Sequence, residues 1–168
     1  MFIQEKTITS IFPGMAESSK IWIYQSNRLM TSEEVELINV KATDFVKSWE
    51  SHGSKLKSDF TILYDLFVVF SVDENQHEAS GCSIDKSVHF MKAIQTLTGI
   101  TFFDRTIIAY VDNDNVARLL PLSNLKSAVA SGIINNKTLV FNNLTENLGR
   151  MRTEWIIPAS DSWLKRFL

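Results

Sequence analysis

The run Phe67-Val68-Val69-Phe70-Ser71-Val72 constrains this chain more than any other stretch. Phe67 and Val69 alternate with Val68, Phe70 and Val72, so both faces of the expected strand are apolar. Such a strand belongs in the middle of a sheet with cover on both sides. The preceding run Phe60–Tyr64 is also β-rich, and the two together exceed the ~3–10 residues usual for one strand. A hairpin turning at Asp65-Leu66 therefore fits better than a single long strand.

Elements on either side can be read from local signals. Ile21 to Tyr24 forms a short apolar strand. Thr31-Ser32-Glu33-Glu34 has capping-box spacing, and Val35, Ile38, Ala42, Phe45 and Trp49 recur at helical steps behind it. The spacing predicts a helix to about Glu50, stopped at His52-Gly53, where glycine accepts a left-handed conformation. A second helix is predicted from about Ser83 to Thr98, with Ile84, Val88, Met91, Ile94 and Leu97 inward and Gly99 at its end. Strands are expected over Thr106–Val111, Val116–Leu120 and Thr138–Phe141, with a short helix from Ser123 to Ala130 and another in the C-terminal tail.

The order is β-α-β-β-α-β followed by β-α-β-α. It implies an α+β single-domain sandwich over residues 1–168, with a ferredoxin-like βαββαβ core and a C-terminal extension. Residues 1–19 read as an N-terminal arm and 155–168 as an aromatic tail. A ferredoxin-like core covers only one sheet face. The extension, or the partner in a homodimer, must cover the other.

With 168 residues, 45% of them hydrophobic, roughly 70% of the unfolded surface can be buried on folding. A formal charge of −2 offers no basic footprint for nucleic acid. No apolar run reaches the ~18 residues of a membrane span, and the first nineteen residues lack the apolar centre of a signal peptide. One cysteine allows no internal disulfide, which suits a cytoplasmic chain.

Reactive residue types crowd into Val68–Leu97. Cys82 falls in the first turn of the predicted second helix, where unpaired backbone N–H groups favour a thiolate. His89 lies about 10 Å further along the axis at ~1.5 Å per residue, so an activating base must come from His52 or His77. Cys82 and His52 are thus the catalytic candidates, and a packed small residue is the plainer reading of Cys82. Asp73, Glu74, Ser80, Gly81, Ser83 and Asp85 are the ligand-binding candidates. With Asp104, the acids could gather a hard cation for phosphoester chemistry. Turn chemistry and helix capping account for the same residues without any ligand. No phosphate-cradling glycine loop and no zinc spacing is present, so neither a metal nor a cofactor is implied.

Trp22-Ile23-Tyr24-Gln25-Ser26-Asn27-Arg28, His52-Gly53-Ser54, Val72-Asp73-Glu74 and Ala79 to Asp85 form one set of motifs. Phe103-Asp104-Arg105, Val140 to Leu144, Pro158-Ala159, Ser162-Trp163 and Arg166-Phe167-Leu168 form another. Together they resemble a family of small bacterial proteins without an established function, some of which carry the label "ABC transporter ATPase". The chain lacks the Walker A loop, signature motif and Walker B acid that such a label requires. Leu164 stands where the family carries a histidine. The expected function is a non-enzymatic module that binds a small molecule or a protein. A small Cys82-centred enzyme and an acid-cluster metal phosphoesterase are the alternatives.

Overall fold

A computed structural model describes residues 8–75, 77 and 79–168. At its centre β5 (Phe67–Asp73) is buried at all seven positions. It pairs antiparallel with β1 (Lys20–Gln25) on one side and β4 (Lys57–Leu63) on the other, giving a three-stranded sheet in the order β1-β5-β4. The hairpin between β4 and β5 turns through Tyr64 and Asp65, whose φ values are 57° and 52°. Aspartate is a usual choice at a positive φ, but tyrosine is not. The ring of Tyr64, stacked 6.1 Å from that of Trp155, anchors the turn by packing.

Two helices cover one face of this sheet. α1 (Ser32–Ser48) begins with the expected capping box: Glu34 N–H donates to Thr31 Oγ1 at 3.3 Å, and Thr31 N–H to Glu34 Oε2 at 2.8 Å. α2 (Gly81–Thr98) stops at Gly99, where φ is +69°. Ile38, Ala42 and Trp49 join Met91 and Ile94 against Val68, Phe70 and Val72 of β5. Leu97, expected inside, is 62% exposed. The inward row of α2 is instead Ser83, Ser87, Met91 and Ile94, two small residues letting the helix start close to the sheet.

His52-Gly53 does not stop α1. That helix ends at Ser48, and Trp49 is already extended. His52 (φ 50°) and Gly53 (φ 78°) form the tight turn joining β2 (Glu50–Ser51) to β3 (Ser54–Lys55), the backbone a two-residue hairpin needs.

The other face of β5 packs on a second antiparallel sheet. It contains β6 (Ile107–Val111), β7 (Ala117–Pro121), β8 (Leu139–Phe141) and β9 (Ile156–Pro158), ordered β7-β6-β8-β9. Phe67 and Val69 meet Ala109, Val111, Phe141 and Trp155 in one apolar cluster, which Ile8, Ile11 and Phe12 complete. The outer face of the second sheet carries Ile108 and Val140 under α3 (Leu125–Ala130) and the C-terminal turns. The architecture is mixed α/β in four layers: helices, sheet, sheet, then helix and turns.

This differs from a ferredoxin-like core. That core needs the first and third strands parallel and the fourth beside the first. Here β1 and β5 are antiparallel, and β6 pairs with β7 and β8. The second sheet is built instead from β6, expected in the core, and from three strands of the extension, β7, β8 and β9. Two short elements of that extension were not anticipated, α4 (Leu148–Glu154) and β9. α4 ties down the segment before β1: Arg152 pairs with Glu17 and donates to Ile11 O at 2.7 Å. At Gly149 a Cβ would stand 2.9 Å from Glu17 Oε2, so a larger residue would push the Glu17 carboxylate aside.

Trp155, as expected of the tail, covers the sheet face and is fully buried. Trp163 and Phe167 are not: they stay 43% and 45% exposed, with the Arg166 guanidinium over both rings.

Candidate functional site

The strand-loop-helix corner that gathers the reactive residue types is tied up in structural bonds. Asp73 Oδ2 pairs with Lys57 Nζ at 2.8 Å and its Oδ1 accepts from Asn75 N–H at 3.1 Å. The lysine, then the Asn75 amide, holds its carboxyl below the usual 3.8. Glu74 pairs with Lys20 at 3.0 Å and accepts from Ala79 N–H at 2.7 Å. Ser80 is the N-cap of α2, accepting from Ser83 N–H at 3.3 Å, while Ser83 Oγ donates back to Ser80 O at 2.8 Å. Gly81 opens the helix with open space where a Cβ would lie. Cys82 and Asp85 face solvent on its first turns.

The hairpin bearing His52 does dock on this helix start. Ser80 N–H donates to Ser51 Oγ at 3.3 Å and Lys86 Nζ to Glu50 O at 3.3 Å. His52 itself is exposed at the tip, as is His77 in its loop. Asp73 and Glu74 each answer a lysine and a backbone amide. Among the described residues no group of three or more His, Cys, Asp or Glu could hold a metal ion.

The structure places a cavity elsewhere. It has a volume of about 620 Å³ and lies where the end of β1 meets the second sheet. It curls around the open edge of β1, with Ile23 and Gln25 on one face and Tyr24 and Val88 on the other. The connection from α2 to β6 supplies Phe103, Asp104 and Arg105, the segment after β8 supplies Asn142 to Leu144, and the C-terminal turn supplies Trp163. Phe103, Leu144 and Trp163 are 40%, 75% and 43% exposed and form an apolar rim.

Its polar groups are oriented by a chain of bonds whose direction is fixed at both ends. Trp155 Nε1–H, which can only donate, gives to Asn143 Oδ1 at 3.0 Å. Asn143 Nδ2 must then face Gln25 Oε1, at 2.8 Å. Gln25 Nε2 in turn donates to Ile107 O, which can only accept, at 3.0 Å. Each amide nitrogen has two hydrogens and spends one in this chain. Gln25 and Asn143 therefore each bring a spare donor to the cavity lining.

Around them, Asp104 Oδ1 accepts from Thr106 Oγ1–H at 2.6 Å and Thr106 N–H at 2.8 Å, which holds its carboxyl below the usual 3.8. Tyr24, within 3.1 Å of Ser87 Oγ, is pushed above its usual 10 by burial and stays a neutral phenol. Arg105 is exposed and, among the described residues, forms no ion pair.

The backbone edge of β1 also contributes. Ser19 O and Ile21 N–H point away from β5, accepting from Leu148 N–H at 2.9 Å and donating to Glu146 O at 3.1 Å. Ser26 N–H points the other way, to Leu66 O at 2.8 Å, and Asn27 N–H outward again, to Thr101 O at 2.9 Å. Residues of a strand alternate in this sense, so the N–H and C=O of Ile23 and Gln25 point outward as well. Between two paired neighbours on that edge, they have no backbone partner among the described residues.

Asp104 enters the cation reading of the sequence and Arg105 could meet an anion, but the other cavity residues belong to no catalytic or metal-ligating pattern. One signal was present in the sequence. Tyr24-Gln25, Phe103-Asp104-Arg105, Val140 to Leu144 and Trp163 belong to the motifs that carry the resemblance, and the fold brings all of them to one cavity. No protein-family description, curated protein or solved structure matches the chain.

Proposed function

We propose that this chain is a binding module whose ligand is a small molecule held in the cavity at the end of β1. The observation that carries the reading is the cavity itself. At about 620 Å³ it falls within the ~300–1,000 Å³ of small-ligand sites, with apolar walls and a few oriented polar groups. Those groups recognise and orient: the amides are neutral, the phenol is protonated, and Asp104 is engaged by Thr106. A binding role needs nothing more. An exposed single thiol at Cys82 suits a reducing, cytoplasmic setting, and no described helix is long and apolar enough to cross a membrane.

The test uses 2-naphthoate, an apolar ring with one carboxylate, titrated into isotopically labelled protein and followed by NMR. Shifts concentrated on Gln25, Asn143 and the Trp163 indole are the expected result, lost when Val88→Trp fills the cavity from α2. Binding that Val88→Trp leaves untouched, or no binding at all, overturns the proposal.

A further inference from the structure

The open edge of β1 specifies more than apolar volume. We infer that the ligand class is a short, apolar peptide carrying a carboxylate, bound in extended conformation so that its main chain pairs with Ile23 and Gln25. This rests on the cavity being the binding site.

Ile23 and Gln25 are two residues apart on one strand edge, and both line the cavity. Each presents an N–H and a C=O outward, so the edge offers donor and acceptor in the repeat of a β ladder, about 6.6 Å apart at ~3.3 Å per residue. The rungs on either side are taken, by Glu146 O at Ile21 and Thr101 O at Asn27. The opening is therefore two rungs long and accepts about three residues of an added strand. A compact ring cannot satisfy all four backbone groups at that spacing, whereas an extended peptide does so by its own repeat.

Side chains of an added strand alternate between its faces. One set meets Ile23 and the buried wall, and the other meets the rim of Phe103, Leu144 and Trp163. Arg105 and the spare amide hydrogens of Gln25 and Asn143 favour an acceptor or negative charge on the ligand. Asp104, the acid of the lining, is turned toward Thr106. A free C-terminus supplies the carboxylate whatever the peptide sequence.

The experiment compares three probes of one sequence by the same NMR titration: N-acetyl-Val-Leu-Val with a free carboxylate, its C-terminal amide, and the free acid with its central amide N-methylated. The parent is expected to bind, to shift the Ile23 and Gln25 backbone amides, and to protect them from hydrogen exchange. N-methylation removes one donor and blocks the approach, weakening binding at least about fivefold. The C-terminal amide binds more weakly than the free acid, and Arg105→Gln shrinks that difference. Ile23→Pro removes an edge N–H outside the ladder to β5 and abolishes pairing. The N-methylated probe decides the matter where that variant does not fold. Equal binding of parent and N-methylated peptides overturns the inference, as does no binding of any peptide. If 2-naphthoate still binds in a Val88→Trp-sensitive way, the cavity reading survives that failure; if it does not, both fall.

Discussion

Asn143 Nδ2 donates to Gln25 Oε1 at 2.8 Å, joining the segment after β8 to the end of β1 across 118 residues of chain. Behind Asn143 the buried indole of Trp155 depends on the same side chain. Asn143→Ala therefore leaves the buried Trp155 indole N–H without its partner, at a cost of about 1–3 kcal/mol in urea unfolding. Gln25→Ala costs less, because the partner it leaves, Asn143, is only half-buried, unlike Trp155. A double-mutant cycle between the two is expected to show at least ~0.5 kcal/mol of coupling. Strict additivity contradicts the relay.

Hydrogen exchange reads the edge of β1 directly. The amides of Trp22 and Tyr24 lie in the ladder to β5, whereas those of Ile23 and Gln25 face the cavity. The first pair is expected to exchange orders of magnitude more slowly than the second in the unliganded protein. Uniform protection along β1 contradicts an open edge.

Two tryptophans near the C-terminus separate structure from recognition. Trp155→Ala empties the contact between the sheets and costs about 3–5 kcal/mol. Trp163→Ala removes a half-exposed ring and its contact with Arg166, costing under ~1 kcal/mol. The second variant nonetheless weakens 2-naphthoate binding. Thermal unfolding and the titration together check both.

Acid sensitivity of α1 follows from Glu34. Hydrogen bonds from Arg28 and from the Thr31 amide hold its carboxyl at about 2, against the usual 4.5. A lowered value means the contribution is complete above pH 4.5 and fades as the pH falls toward 2. Glu34→Gln keeps the cap acceptor and loses the ion pair. Arg28 is 46% exposed, so solvent screens the pair, and the loss at pH 7 is small and smaller still in high salt. The melting temperatures of variant and parent are expected to converge near pH 2. A gap that persists there assigns the effect to the cap instead.

Local signals were legible in the sequence and long-range ones were not. The capping box at Thr31 and Glu34 involves neighbours, and the two apolar faces of β5 announce cover on both sides. What supplies that cover depends on pairings that alternation does not encode. A strand at Ile107–Val111 is equally readable beside β1 or beside β8. α4 and β9 span seven and three residues, too few for a period to emerge. Ser83 and Ser87 face inward because close packing favours small side chains, which a search for apolar residues passes over. The cavity is drawn from widely separated segments, and the chemistry-bearing corner at Cys82 is occupied with capping a helix.

The burial of β5 on both faces also sets an order of events during synthesis. Its even-numbered face can be covered by α1 and α2, made before or just after it. Its odd-numbered face waits for Phe141 and Trp155. Ribosome-bound chains halted before Leu139 therefore present Phe67 and Val69 without Phe141 and Trp155 over them, and an apolar dye is expected to bind there and to be expelled once Trp155 has left the exit tunnel. Dye binding that is indifferent to chain length contradicts this order. Until that point a core face that the finished protein hides between its two sheets is within reach of other molecules.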